Sequence, residues 1–175
     1  AFVVELATDV YAGLVDIIHS HGVGFWPAPD AFVAMLRYTF PEPAITNRSG
    51  GPYDKLRQYG HAFAIGLRFD ASTRDGTDAV VGPYITRLNE LRNKYPELLL
   101  EGRFIDNEGF LCDNSHVSAH GFVNGTKLAV TLWNSSESPQ FARVVAPGYK
   151  LDPAEWLDSR WGGPGRTPQP GDIWG

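Results

Sequence analysis

The feature that most constrains the fold is a change in hydrophobic periodicity near Pro96. Before this proline, short apolar runs alternate with segments whose apolar residues recur at helical spacing, a pattern typical of a parallel sheet with crossover helices. After it, two strand-like segments, 116–123 and 127–133, are joined by Asn124-Gly125, a strong short hairpin signal. The sequence therefore predicts an α/β region at 1–96, an antiparallel β module at 97–160 and a Pro/Gly-rich tail at 161–175.

Within the first region, the apolar run Phe2–Leu6 is interrupted by one acid, Glu5, as expected for a strand buried on both faces. Apolar residues at helical spacing then predict a helix that begins near Val10, continues through Ile18 and ends at Gly22, and Thr8 or Asp9 could cap it. The remaining patterns predict strands at 23–26, 36–40, 141–145 and 149–151, and helices at 53–69 and 78–95.

Composition excludes several classes of function. The net charge is −5 and no Lys/Arg run is present, which argues against a nucleic-acid partner. No apolar stretch approaches the roughly 18 residues of a membrane span, so no membrane partner is expected. The single cysteine, Cys112, excludes an internal disulfide, and the pairs His19/His21 and His116/His120 lack a persuasive metal-ligand set. We therefore expect no metal and no cofactor.

Several segments follow one another in a distinctive order: RYTFPEPAITNR, YGHAFAIGLRFD, ITRLNELRNKYPELLLEGRFID, AHGFVNGTKLAVTLWN and VVAPGYKL. Together they resemble the C-terminal part of bacterial glycosidase-like proteins, in which a (β/α)8 barrel precedes a β-sandwich. A looser resemblance is to the barrel-plus-sandwich layout of α-galactosidase-type enzymes. The resemblance spans most of residues 1–151 and implies that the last three barrel strands lie near 2–6, 23–26 and 36–40. The other strands would come from the rest of the same protein or from a second chain, and this chain would be the C-terminal piece.

The same resemblance implies a carbohydrate substrate and paired catalytic carboxylates. In barrels, functional groups gather at the carboxyl ends of the strands, where Glu5, Asp9 and Glu42 are expected to lie. Glycoside hydrolysis uses two carboxyl groups, about 5–5.5 Å apart for retention or about 6.5–9.5 Å apart for inversion. A structural role is the alternative for both residues: Glu5 could pair with an arginine, and Asp9 could be a helix cap.

Candidate substrate-binding residues follow the predicted strands. Trp26 and Tyr38 could form a stacking wall for a sugar ring, or could be core residues. Arg37 and Arg48 could bind hydroxyls or a carboxylate, or could form surface or structural ion pairs. Glu42, held between two prolines, could be a sugar ligand or an ion-pair partner. The alternative function is a non-catalytic carbohydrate-binding or structural domain. A third hypothesis is self-association, in which two partial barrels cover each other's open edges.

Overall fold

The computed structural model describes residues 3–5, 14–21, 37–42, 44–48, 54–134, 136, 138–152, 157–158 and 163–164 of the chain. Its regular elements are β1 (Val3–Glu5), β2 (Ile17–His21), β3 (Ala44–Arg48), α1 (Lys55–Ala64), β4 (Arg68–Asp70), α2 (Thr73–Thr77), α3 (Val81–Lys94), α4 (Pro96–Leu99), β5 (Arg103–Asp106), β6 (Leu111–Cys112), β7 (Val117–Asn124), β8 (Lys127–Asn134), β9 (Val144–Val145), β10 (Leu157–Asp158) and β11 (Gly163–Pro164). In addition, residues 37–39 are helical. Among the helices so described, none has the length and apolar character that crossing a membrane requires.

The first four strands form one parallel sheet in the order β1-β2-β3-β4, so that each strand lies beside its neighbour in the sequence. Ile18 is in register with Ile45, and Arg48 with Asp70. Within the described part of the chain, β1 pairs only with β2 and β4 only with β3, so this sheet does not close into a barrel. Because the strands are parallel, their carboxyl ends lie at the same end of the sheet, which we call its carboxyl-terminal edge.

The remaining strands form small antiparallel sheets: β5-β7-β8, β6-β9 and β10-β11. In the β7–β8 hairpin, Asn124 pairs with Lys127, which leaves Gly125 and Thr126 as the two loop residues. Gly125 has a φ of 58°, a conformation that glycine adopts at little cost. The predicted hairpin is therefore confirmed, as is the coarse prediction that an α/β region is followed by antiparallel strands.

A hydrophobic core connects the parallel sheet with the β5-β7-β8 sheet. Its buried members come from strands, from helix α1 and from the turn between α1 and β4, on both sides of Pro96: Ile18, Ile45, Ala62, Ile65, Leu67, Phe104 and Phe122. The hydroxyl of Thr131, on β8, also donates a hydrogen bond of 2.6 Å to the carbonyl oxygen of Ala64 at the end of α1. The α/β region and the antiparallel strands are thus packed against each other through α1.

Helix α1 begins and ends on local signals. The Asp54 side chain accepts hydrogen bonds from the backbone N–H groups of Leu56 and Arg57, at 2.9 and 3.3 Å. At the other end Gly66 has a φ of 75°, and the Leu67 N–H donates to the Ala62 carbonyl at 2.8 Å, the six-to-one bond of a Schellman motif. The helix therefore stops at Ala64, and the chain is redirected into β4.

Several predicted elements were wrong. The helix predicted through Ile18 is contradicted by β2, because Ile17 and Ile18 pair with β3 instead of continuing a helical turn. Residues 36–40 were predicted as a strand, yet 37–39 are helical and the third strand starts only at Ala44, after the prolines. The segment 149–151 is not a strand.

The helix predicted at 53–69 is shorter, since Gly66 ends it, and its last residues form β4. The helix predicted at 78–95 is confirmed as Val81–Lys94, with Pro83 in its first turn, where a missing N–H is tolerated. The predicted strand at 23–26 lies outside the described residues.

Candidate functional site

Three side chains meet at the carboxyl-terminal edge of the parallel sheet. His19 belongs to β2, Arg48 is the last residue of β3, and Asp70 is the last residue of β4. The Asp70 Oδ2 atom lies 3.2 Å from Nε of Arg48 and 3.4 Å from Nε2 of His19. Thr46 completes the arrangement, because its Oγ1 lies 2.8 Å from Nδ1 of His19. We call these residues the edge cluster.

The edge cluster is accessible to a ligand. The side chain of Arg48 is 51% exposed, that of Asp70 is 30% exposed and that of His19 is 20% exposed. The other face of the same strands is buried, with Ile18 and Ile45 in the core. The alternation of a strand therefore directs core residues to one side and the polar cluster to the other.

The cluster contains both donors and acceptors of hydrogen bonds. Arg48 supplies N–H donors in a planar fork, Asp70 supplies carboxylate acceptors, and His19 supplies one of each when neutral. The Arg48–Asp70 contact is an ion pair, which is compatible with an ionised Asp70 carboxylate. Such a set is suited to a polyhydroxylated ligand, because every hydroxyl group both donates and accepts.

Among the residues predicted to be catalytic, Glu5 is the last residue of β1 and is in register with His19. The backbone of Glu5 therefore lies at the same edge as the cluster, whereas its side chain is outside the described part of the structure. The predicted catalytic Asp9 and the predicted stacking residue Trp26 also fall outside the described residues.

Two other predicted binding residues, Arg37 and Glu42, lie away from the edge cluster. Arg37 and Glu42 line a cavity of about 110 Å³ together with Ala44 and Arg68, the first residues of β3 and β4. This cavity is at the amino ends of the strands, so the structure brings Arg48 together with Asp70 and His19 but not with Arg37 or Glu42.

Arg37 is buried, and its Nη1 donates to the Pro41 carbonyl at 2.9 Å. Its guanidinium carbon lies 5.2 Å from the centre of the Phe104 ring, within the range of a cation–π contact. Burial, together with the nearby positive charge of Arg68, lowers the pKa of Arg37 to about 10, so it is still charged at neutral pH. These contacts account for Arg37 by packing within the fold.

Tyr38 belongs to a second polar cluster, in which it donates a hydrogen bond to Asp106. The Asp106 Oδ1 atom also lies 2.8 Å from Nδ1 of His120, on β7. The Tyr38 ring packs edge-on against Phe104 at 5.5 Å, and burial followed by the Asp106 contact raises the Tyr38 pKa. We call Tyr38, Asp106 and His120 the interface cluster.

Burial lowers the pKa of His120, while the hydrogen bond and the charge of Asp106 act in the opposite direction. Its Nε2 atom is buried and has no hydrogen-bond partner among the described residues. Burial therefore favours the neutral imidazole, with Nδ1–H donating to Asp106.

A separate open cleft of about 370 Å³ lies on the β module. Its walls include the polar side chains of Arg103 and Glu108 and the partly exposed ring of Tyr149. Its apolar part is formed by Ile105 together with residues of the β7–β8 hairpin, Val123 and Leu128.

Sequence reasoning missed Asp70 and His19 as site residues. Asp70 was hidden because the helix was extended through Phe69, although Gly66 was a signal that the helix should end. His19 was assigned to the end of a helix, although IIHSH is rich in β-branched residues at its start.

Within the described residues, no group of three His, Cys, Asp or Glu side chains is placed to hold a metal ion. No protein-family model matches the chain, and searches of curated proteins and of solved structures also found no match.

Proposed function

We propose that this chain is part of a carbohydrate-active protein, a glycoside hydrolase, whose sugar site lies at the carboxyl-terminal edge of the parallel sheet. The observation on which the proposal rests is the edge cluster: an accessible carboxylate, that of Asp70, lies within 3.4 Å of both the Arg48 guanidinium and the His19 imidazole, and each of the three comes from a different strand. Donors and acceptors in this combination match the hydroxyl groups of a sugar.

The strand order supports a finer proposal, in which the parallel sheet is part of a (β/α)8-type barrel. Consecutive barrel strands are parallel and adjacent in sequence order, as β1 to β4 are. Within the described residues, the outer strands β1 and β4 each pair with one neighbour only. The proposal therefore requires further strands from the rest of the same protein or from a second chain.

In this proposal Glu5 is a catalytic carboxylate, and Asp9 or an acid outside this chain is its partner. Glu5 ends β1, and its backbone is in register with His19 on the neighbouring strand, at the same end of the sheet as the edge cluster. Arg48, Asp70 and His19 bind the sugar hydroxyls and orient the scissile bond, since positioning is a large part of catalysis.

The test is Glu5→Gln in the complete protein, assayed on a panel of aryl glycosides. We expect activity to fall by about 100-fold or more, the usual contribution of an acid or base group, with thermal unfolding unchanged. Glu90→Gln, on the exposed face of α3 and outside both candidate sites, is the matched control. Full activity of Glu5→Gln would remove Glu5 from the mechanism.

The 175-residue chain alone should hydrolyse none of these glycosides, because one part of a site cannot position both carboxyl groups. Hydrolysis by this chain alone would overturn the proposal that other strands complete the site, while leaving the carbohydrate assignment in place.

The cleft on the β module favours a second candidate function, non-catalytic sugar binding. A partly exposed aromatic ring, Tyr149, beside Arg103 and Glu108 provides a stacking surface with polar groups at its margin. Saccharide binding that is lost in Tyr149→Ala and kept in Arg48→Ala would favour this second function over the first.

A further inference from the structure

We infer that the sugar bound at the edge cluster is uncharged, a neutral pyranoside and not a uronic acid or another anionic sugar. This inference rests on the proposed function and specifies its substrate class. It is argued from the charges at the sheet edge and from the contacts that Arg48 already makes.

The charges at this edge do not favour an anion. The positive charge of Arg48 lies 3.2 Å from the Asp70 carboxylate, which offsets it. The Asp70 carboxylate also repels a negatively charged sugar that approaches Arg48.

The guanidinium of Arg48 is already paired. Its Nε is 3.2 Å from Asp70 Oδ2, so a sugar carboxylate would have to displace Asp70 or bind beside it. Displacement would leave the Asp70 carboxylate without its cation, and binding beside it would place two carboxylates in contact. Neither cost arises for a hydroxyl group, which can donate to Asp70 and accept from Arg48 at the same time.

The second arginine that the sequence offered as a carboxylate ligand does not reach this edge. Arg37 lies at the amino ends of the strands, is buried, and donates to the Pro41 carbonyl. Arg48 forms the ion pair that the sequence analysis offered as an alternative, and between the two kinds of ligand, a hydroxyl or a carboxylate, this geometry favours a hydroxyl.

The experiment compares matched sugars that differ in one group: methyl β-D-glucopyranoside with its glucuronide, and the galactoside with its galacturonide. Binding to the 175-residue chain is followed by NMR at the Arg48 Nε–H and His19 imidazole signals, at low salt. We expect each uronide to bind about fivefold more weakly than its neutral partner, the factor for one like-charge contact near 4 Å in water. The difference should shrink at about 0.5 M salt, because salt screens exposed charges.

Two variants test the origin of the preference. Asp70→Asn keeps the side-chain shape but releases Arg48 from its ion pair, so the difference between neutral sugar and uronide should close or reverse. Arg48→Gln should weaken the neutral sugar and give no gain for the uronide. Arg87→Gln, whose side chain pairs with Glu90 on the exposed face of α3, is the matched control and should change neither.

A uronide that binds the wild-type chain as tightly as its neutral partner, or more tightly, overturns this inference and leaves the carbohydrate assignment intact. If no saccharide perturbs the edge signals of the folded chain, the proposed function fails and the inference fails with it. Circular dichroism establishes that each variant is folded. Should Asp70→Asn unfold, the wild-type comparison and Arg48→Gln still test the inference. If Arg48 bound the carboxylate of the sugar, Arg48→Gln would lose uronide binding selectively.

Discussion

The molecule contains two histidine–aspartate pairs that differ in surroundings and in geometry. His19 and Asp70, in the edge cluster, are 3.4 Å apart and share the accessible guanidinium of Arg48. His120 and Asp106, in the interface cluster, are 2.8 Å apart, and their side chains are only 12% and 18% exposed. The same two residue types thus form a more exposed arrangement and a more buried one, in which Nδ1 of His120 contacts the Asp106 carboxylate.

The backbone explains the tighter pair. Asp106 has a φ of 51°, in the left-handed region that aspartate tolerates better than most residues. The β5–β7 register shifts between Phe104 and Asp106, so the strand carries an irregularity at this point. His120 and Tyr38 converge on the Asp106 carboxylate from β7 and from the helical residues 37–39. The interface cluster is therefore built from contacts within the fold, whereas the edge cluster lies at a more exposed surface.

The largest difference should appear on removing each carboxylate. Asp106→Ala leaves both His120 and Tyr38 without their shared acceptor, so we expect the free energy of unfolding to fall by about 2–3 kcal/mol. Asp70→Ala breaks an exposed ion pair and should cost at most about 1 kcal/mol. Urea denaturation followed by circular dichroism measures both values.

Asp152→Ala, at an exposed position outside both clusters, is the control for removing a negative charge. Equal losses for Asp106→Ala and Asp70→Ala would contradict the distinction between a structural pair and a binding pair.

A pH dependence should follow from His120. Because burial lowers its pKa in the folded chain, the unfolded chain takes up a proton first as the pH falls, and the folded state loses stability on acidification below about pH 6.5. The contribution of this one group to the slope is at most about 1.4 kcal/mol per pH unit.

Chemical denaturation between pH 8 and pH 5 measures that slope, and His120→Gln should reduce it. His116→Gln removes a histidine from an exposed turn and serves as the control. A slope that is identical in the wild type and in His120→Gln would show that the interface histidine does not couple folding to pH.

Much of the fold could be predicted because it depends on local patterns. The amphipathic helix at Val81–Lys94 and the hairpin at Asn124-Gly125 are set by residue spacing and by a glycine turn. The strands β2 and β4 were missed for a different reason: each is short, and each adjoins a segment with helical spacing. Pairing in the parallel sheet, which no local pattern reveals, decides their conformation.

The candidate site could be predicted only in its general position. Arg48 was expected on a loop just beyond a strand at 36–40, but it is the last residue of β3. Its partner Asp70 lies 22 positions away in the sequence, on a strand of which Arg68 and Phe69 had been assigned to a helix. Arg37, by contrast, was grouped with Arg48 from sequence proximity, and the structure places it at the other edge of the sheet. Which polar residues meet depends on strand register, and register follows from three-dimensional packing.

The smallest expected effects come from removing the one hydroxyl group of each cluster, that of Tyr38 or that of Thr46. Tyr38→Phe removes one hydrogen bond to Asp106 at a partly exposed side chain and should cost about 0.5–1 kcal/mol of unfolding free energy. In the double variant Tyr38→Phe/Asp106→Asn, the losses should be less than additive, because both changes remove the same bond.

Thr46→Val removes the 2.8 Å contact to His19 and should leave the free energy of unfolding nearly unchanged while weakening the proposed sugar binding at the edge cluster. Should Thr46→Val destabilise the chain more than Tyr38→Phe does, the edge cluster would also be a structural element, and the contrast between the two pairs would be one of exposure alone.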